Sequence, residues 1–205
     1  MKYLIGIDEA GRGPLAGPVS IGVVKVPKNF DKRFLRGIKD SKKLTEKDRE
    51  EWFKKAVVAQ KAGKLDFQVA LISEKVIDKK GIVFAINLGI KKCLGKLNLN
   101  PSETKVFLDG SLKAPKEFID QETIIKGDEK IPIISLASVL AKVTRDKKMV
   151  GLSKKFPEFS FHLHKGYGTK LHQEAIKTHG PSKCHRLSFI KSLNTVLESR
   201  PWNHS

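Results

Sequence analysis

Residues 1–18 read MKYLIGIDEAGRGPLAGP. An apolar run over residues 3–7 leads into two adjacent acids, Asp8 and Glu9, and then into Gly11, Arg12, Gly13 and Pro14. The pattern predicts a buried strand that stops at a paired carboxylate and hands over to a tight glycine loop. Acids at the end of a rigid strand, beside backbone that a ligand can approach closely, suit a hard divalent cation and a phosphate. Taken alone, the pair fits an ordinary polar strand end and turn equally well. Neighbouring strand residues project to opposite faces, so for both acids to reach metal the chain has to kink at Ala10-Gly11.

Working outward, residues 18–26 (PVSIGVVKV) are β-branched and bounded by proline, which predicts a second strand in a hairpin with the first. Thr45 opens a helix, with Asp48 three residues on as a capping box. Residues 65–72 form a third strand, and Ser73 caps a short helix that ends before Gly81. Apolar residues at 82, 85, 86, 90, 93, 94 and 97 recur in steps of three and four, the signature of an amphipathic helix with Cys93 on its core side. Residues 105–108 (KVFL) predict a strand ending at Asp109-Gly110, and residues 121–126 (QETIIK) another ending at Gly127-Asp128. A long apolar helix covers residues 133–152. From Phe156 the chain reads as loops and short helices rich in His and Lys. Strands interleaved with helices indicate an α/β fold.

Composition narrows the function. The 205 residues carry 40 Lys+Arg against 22 Asp+Glu, a net charge of +18. Such an excess favours a polyanion partner, and nucleic acid is the first candidate. The two cysteines, Cys93 and Cys184, form neither a disulfide framework nor a zinc-like spacing, which fits a reducing compartment. The longest uncharged run, residues 131–141, contains Pro132 and is too short to span a bilayer. The expectation is a cytoplasmic protein without a membrane segment, and a monomer, since no exposed apolar stripe demands a dimer.

Acids therefore stand at three predicted strand ends: Asp8-Glu9, Asp109 and Asp128. Brought to one sheet edge, four carboxylates repel one another unless a cation neutralises them, and all-oxygen ligands select Mg²⁺ or Mn²⁺. Two such ions about 3.5–4 Å apart would serve phosphodiester hydrolysis. On the long helix, Ser138, Lys142 and Arg145 share one face and form a candidate phosphate clamp. Asp146 is read as the i,i+4 partner of Lys142. Tyr167, between Gly166 and Gly168, is placed to stack on a sugar or base. The histidines at 162, 164, 172, 179 and 185 lack acid or cysteine neighbours at ligand spacing and are read mainly as structural or phosphate-facing.

With these residues in hand, the chain resembles the ribonuclease HII family. The resemblance is carried, in order, by DEAGRGPLAGPV (8–19), DSKKLT (40–45), LDG (108–110), KGD (126–128), ASVLAKVTRD (137–146), HKGYGT (164–169) and HGPSKCHRLSF (179–189). It implies a ribonuclease H-like mixed central sheet flanked by helices, with a C-terminal helical extension. The whole chain, 1–205, would be a single catalytic domain: a core to about residue 155, then a helical substrate-binding part. It implies Mg²⁺- or Mn²⁺-dependent cleavage of RNA in RNA–DNA hybrids and of duplex DNA 5′ to embedded ribonucleotides, leaving 3′-hydroxyl and 5′-phosphate ends.

Carried over by position, Asp8, Glu9, Asp109 and Asp128 match the catalytic, metal-holding carboxylates. Gly11, Arg12 and Gly13 match the loop that senses the ribose 2′-hydroxyl, and Tyr167 the ring that packs on the following deoxyribose. Lys42 or Lys43, Ser138, Lys142 and Arg145 fall where phosphate contacts are expected. Leu136 and Gly168 depart from the family's usual residues without touching the chemistry. The start at the first strand and Arg12-Gly13-Pro14 speak against ribonuclease HIII, and the tail ESRPWNHS (198–205) shows no sliding-clamp motif. Two other readings compete: a different two-metal nuclease of this fold class, and a non-catalytic basic binding module.

Overall fold

The computed structural model describes residues 1–191. The predicted hairpin forms: β1 (Tyr3–Ala10) pairs antiparallel with β2 (Val19–Pro27). β3 (Asp66–Ile72) adds antiparallel to β2, while β4 (Thr104–Asp109) and β5 (Gln121–Ile124) add parallel on the other side of β1. The sheet order is β3-β2-β1-β4-β5, a mixed sheet with β1 at its centre.

Alternation along β1 sorts its side chains between two layers. Ile5 and Ile7 pack with Ile86, Ile90 and Leu94 of α3 (Ile82–Lys96), on the face that α2 (Glu74–Lys80) also covers through Ile77. Leu4, Gly6 and Asp8 face the opposite layer, where α1 (Glu46–Lys61) and α5 (Pro132–Lys155) bury Ala56, Ala59, Leu136, Ala137 and Leu140 against Val24 and Val26. Cys93 is core, as its stripe predicted, and burial pushes its thiol up to about 12. The capping box at Thr45 and Asp48 is present in full.

α5 lies unusually close to the sheet because two glycines face it. A Cβ at Gly6 would fall 2.5 Å from the Ile133 carbonyl oxygen, and one at Gly22 2.2 Å from that of Ala137. Gly22 is the register partner of Asp8. The same close approach that needs glycine therefore brings Ser138 of α5 over the carboxylate.

The chain after α5 packs back on that helix. α6 (Phe161–His164) and α7 (Lys170–His179) enclose a small core of Ala16, Met149, Phe159, Phe161 and Cys184. Residues 11–18, between β1 and β2, are held by this part: Leu15 N–H donates to Gly166 O, Gly17 N–H to Cys184 O, and Arg186 N–H to Leu15 O. No helix among the described residues is long and apolar enough to cross a membrane. The tail at residues 198–205, read for a sliding-clamp motif, lies outside the described residues.

Two expectations about the strands are corrected. β1 does not stop at the acids but stays paired with β2 through Ala10, opposite Ser20, and the chain turns at Gly11, where φ is +89°. Its parallel pairing with β4 ends at Ile7–Leu108, so Asp8 sits where that edge of β1 comes free. Asp128 is not at a strand end. β5 stops at Ile124, Lys126 takes a left-handed conformation (φ +55°), and Asp128 lies in the short helix α4 (Gly127–Lys130).

Candidate active site

Asp8 and Asp109 stand on adjacent parallel strands and share the α5 face, Asp109 two residues beyond Phe107. Asp128 reaches the same place from α4, because the Gly127 and Asp128 N–H groups bond Asp109 Oδ1 at 2.7 and 3.4 Å. One carboxylate oxygen from each of Asp8, Asp109 and Asp128 lies within 4.8 Å of the others. Glu9, the next residue along β1, lines the same cleft but is outside this set. Its carboxylate accepts from Arg12 Nη1 at 3.3 Å at the rim of the same cleft.

The cleft has a volume of about 510 Å³ and is lined by Asp8, Glu9, Asp109 and Asp128, by Gly11, Arg12 and Gly13, and by Ser41, Lys42, Ser138, Lys142 and Tyr167. Burial, followed by the Glu9 charge, pushes Asp8 well above the usual carboxylate range; the Ser138 hydroxyl works against this. Burial raises Glu9 also, with Arg12 opposing. Asp128 is pushed up to about 6 by burial and by its neighbours Asp109 and Asp40, with Lys42 opposing. Burial works to lower Lys42, but Asp40, Asp128, Asp8 and Asp109 outweigh it and raise it. A buried cluster of oxygen ligands whose charges destabilise one another fits a hard divalent cation, and the donor set excludes a thiolate or imidazole site.

Two of the expected phosphate contacts are not in the cleft. Lys43 forms an ion pair with Glu129 at 2.8 Å. Arg145 is fully buried: Nε donates to Pro18 O, Nη1 to Lys165 O and Nη2 to Ala16 O, at 2.9–3.1 Å. It shares a helix face with Ser138 and Lys142, but the loops at residues 11–18 and 165 close over it and take its donors. Lys142 does face the cleft, paired with Asp146 at 3.0 Å as its spacing predicted. Sequence reading left Asp40 and Ser41 without roles, although both lie in the quoted DSKKLT stretch. Asp40 is buried beside Asp128, and Ser41 Oγ meets Ser138 Oγ at 2.8 Å. Polar residues packed into an otherwise exposed-looking loop leave no periodic signal.

Tyr167 is 42% exposed, with the Lys142 ammonium 5.8 Å from its ring centre. Buried imidazoles hold its backbone. His172 Nδ1 lies 2.8 Å from Tyr167 O and must donate to it. His185 Nδ1 accepts Ser182 N–H at 2.8 Å, which leaves its Nε2–H to donate to His172 Nε2 at 3.0 Å. This chain of bonds closes with both rings neutral. Burial, reinforced for His185 by His172, pushes both down to about 4. The unfolded rings take up protons below about pH 6.5, so this pair withdraws stability as the pH falls from there toward 4. We expect the two ring signals in an NMR titration to keep their neutral positions down to about pH 5; a midpoint near 6.5 would contradict the assignment.

Comparison with solved structures places this architecture. It superimposes on the ribonuclease H2 of Pyrococcus horikoshii OT3 with a TM-score of 0.71 and 27% identity, covering 97% of this chain and 100% of that one. The ribonuclease HII of Archaeoglobus fulgidus, solved in complex with PCNA, matches with a TM-score of 0.70 and 25% identity, covering 99% of this chain and 98% of that one. Mixed sheet, flanking helices and acid cluster together define a protein of the ribonuclease H class. The ribonuclease HII family model matches residues 5–192. The ribonuclease HII of Caldicellulosiruptor bescii is 43% identical over 192 residues, spanning 94% of this chain and 88% of that protein. That of Endomicrobium trichonymphae is 45% identical over 198 residues, spanning 97% and 90%. The chain belongs to the ribonuclease HII family.

Proposed function

We propose that the chain is an endonuclease that hydrolyses the RNA strand of RNA–DNA hybrids and nicks duplex DNA on the 5′ side of an embedded ribonucleotide. The products carry 3′-hydroxyl and 5′-phosphate ends. The observation that carries this reading is the convergence of Asp8, Asp109 and Asp128 in one cleft with the glycine loop and Tyr167. Those three aspartates, with Glu9 at the rim, would hold Mg²⁺ or Mn²⁺. Bound there, a pair of ions supplies Lewis-acid stabilisation of the scissile phosphate and of the attacking and leaving oxygens.

The protein's own groups do the rest. Lys42 and Lys142 present ammonium groups to the phosphates flanking the cut. Ser138, hydrogen-bonded to Ser41, gives that wall of the cleft a fixed hydroxyl. Gly11, Arg12 and Gly13 offer backbone to the 2′-hydroxyl, the group that separates RNA from DNA. Tyr167 packs its exposed ring on the sugar that follows and crowds a second hydroxyl. The enzyme acts on nucleic acid in the cytoplasm, as a monomer.

A labelled RNA–DNA hybrid tests the reading. Protein stripped of divalent ions should leave it whole, and Mg²⁺ or Mn²⁺ should restore cutting to 5′-phosphate products. Metal-independent cutting, or cyclic phosphate ends, would refute it. Tyr167→Ala should slow cleavage at a single ribonucleotide in DNA by about tenfold or more, the scale of one lost stacking contact, and slow cleavage of a long hybrid less. Equal losses on both substrates would make Tyr167 a loop anchor only.

A further inference from the structure

The glycine loop rests on a second buried guanidinium that the chemistry above does not use. Arg186 is 0% exposed. Its Nε donates to Gly17 O at 2.9 Å, Nη1 to Arg12 O at 2.9 Å and Nη2 to Gly11 O at 2.7 Å. Among the described residues no carboxylate forms an ion pair with it. Burial, with the nearby Arg145 charge, lowers it to about 9, so it remains a cation at neutral pH. An unpaired buried cation is destabilising by itself. Neutral donors could fill the same space; what the guanidinium adds is a rigid planar fork that gathers several carbonyls at once.

Those carbonyls decide which way the loop faces. A trans peptide is planar and sets its N–H opposite its C=O. With the Gly11 and Arg12 carbonyls turned down onto Arg186, the N–H groups of Arg12 and Gly13 turn up, to the side where both residues line the cleft. Among the described residues neither N–H has a hydrogen-bond partner. A carbonyl bonded to a cation also makes its peptide N–H a stronger donor. Gly11 supplies the remaining condition. Its φ is +89°, and a Cβ there would fall 2.0 Å from Arg145 Nε, so the chain can lie flat over both arginines only with glycine at that position.

We propose that Arg186 is a positioning residue for ribonucleotide recognition: it fixes the Gly11–Arg12 and Arg12–Gly13 peptides so that two unpaired N–H groups meet the 2′-hydroxyl in the cleft. The proposal rests on the functional reading above and names the group that sets its specificity. Discrimination between ribose and deoxyribose is then built into the buried side of the loop. It does not depend on the exposed Arg12 side chain, which pairs with Glu9.

The test measures binding without divalent metal, so that nothing is cut, for a duplex with one ribonucleotide and for the same duplex in all-DNA form. Wild type should prefer the first. Arg186→Lys keeps the charge and loses the fork; its preference should fall by about tenfold, the scale of one or two hydrogen bonds, with all-DNA affinity unchanged. An undiminished preference in Arg186→Lys would overturn the proposal while leaving the enzyme's function intact. A wild type without any preference, and without cleavage when Mg²⁺ is added, would overturn the functional reading itself. The unmodified protein gives a second measurement that does not depend on the variant folding. The backbone amide signals of Arg12 and Gly13 should shift with the ribonucleotide duplex and stay in place with the all-DNA duplex. Failure of both to shift would overturn the proposal.

Discussion

Asp8→Asn should lower turnover by about three orders of magnitude or more, the scale of losing a principal electrostatic stabiliser, and leave the fold standing. Asn fills the same volume and keeps an oxygen to accept the Glu9 N–H, which Asp8 Oδ1 now takes at 2.7 Å. It lacks the charge that would hold a cation between Asp109 and Asp128. The stability effect has the opposite sign from the catalytic one. Asp8 is raised well above the usual carboxylate range by burial and by Glu9, so at neutral pH its charge works against the metal-free fold. Removing it should leave the metal-free melting temperature unchanged or higher, while the stabilisation by added Mg²⁺ or Mn²⁺ disappears. Activity near wild type with either ion would refute the metal assignment. A sharply lower melting temperature would mean that Asp8 has a structural role.

Gly22→Ala should damage the fold most for the smallest change. The added methyl would sit 2.2 Å from the Ala137 carbonyl oxygen, and backbone has no rotamer by which to move aside. α5 must shift outward along its contact with β1 and β2. Overpacking of this kind costs about 3 kcal/mol, or about 6–12 °C in melting temperature for a chain of this size. Because α5 carries Ser138 and Lys142 over Asp8, activity should fall with it. Gly151→Ala, in the same helix with nothing within 4 Å of its Cβ, is the control. It should leave stability equal or raise it by about 0.5–1 kcal/mol, as alanine favours a helix over glycine. Equal melting temperatures for the two variants would contradict the packing argument.

What could be read ahead of the structure followed the range of each interaction. The hairpin, the capping box at Thr45 and the Cys93 stripe are local patterns of spacing and were legible. Asp8 and Asp109 were legible as a pair, because a run of buried residues ending in an acid says where the acid stands once the strands pair. Asp128 was found for a reason that proved wrong in detail: the left-handed turn at Lys126 converts an apparent strand end into a short helix, and no periodicity marks that turn. Glu9 lies beside Asp8 within the paired strand, and the chain turns only past Ala10, at Gly11 with φ +89°, where pairing with β2 has ended. Arg145 and Arg186 were the hardest. Helical spacing puts Arg145 correctly on the face of Ser138, but its burial depends on carbonyls at residues 16, 18 and 165, brought together only by the fold. Arg186 stood unmarked within CHRLSF for the same reason.

The central claim is that the three aspartates and the loop above them act as one site, cutting where a ribose is present and using a divalent ion to do so. A DNA duplex carrying one ribonucleotide, beside an all-DNA control, tests it most directly with and without Mg²⁺ or Mn²⁺. The expected result is a single metal-dependent nick on the 5′ side of the ribonucleotide, with the control intact. Cutting of the all-DNA duplex at a comparable rate, or no cutting of the ribonucleotide duplex by folded protein with metal present, would contradict the account.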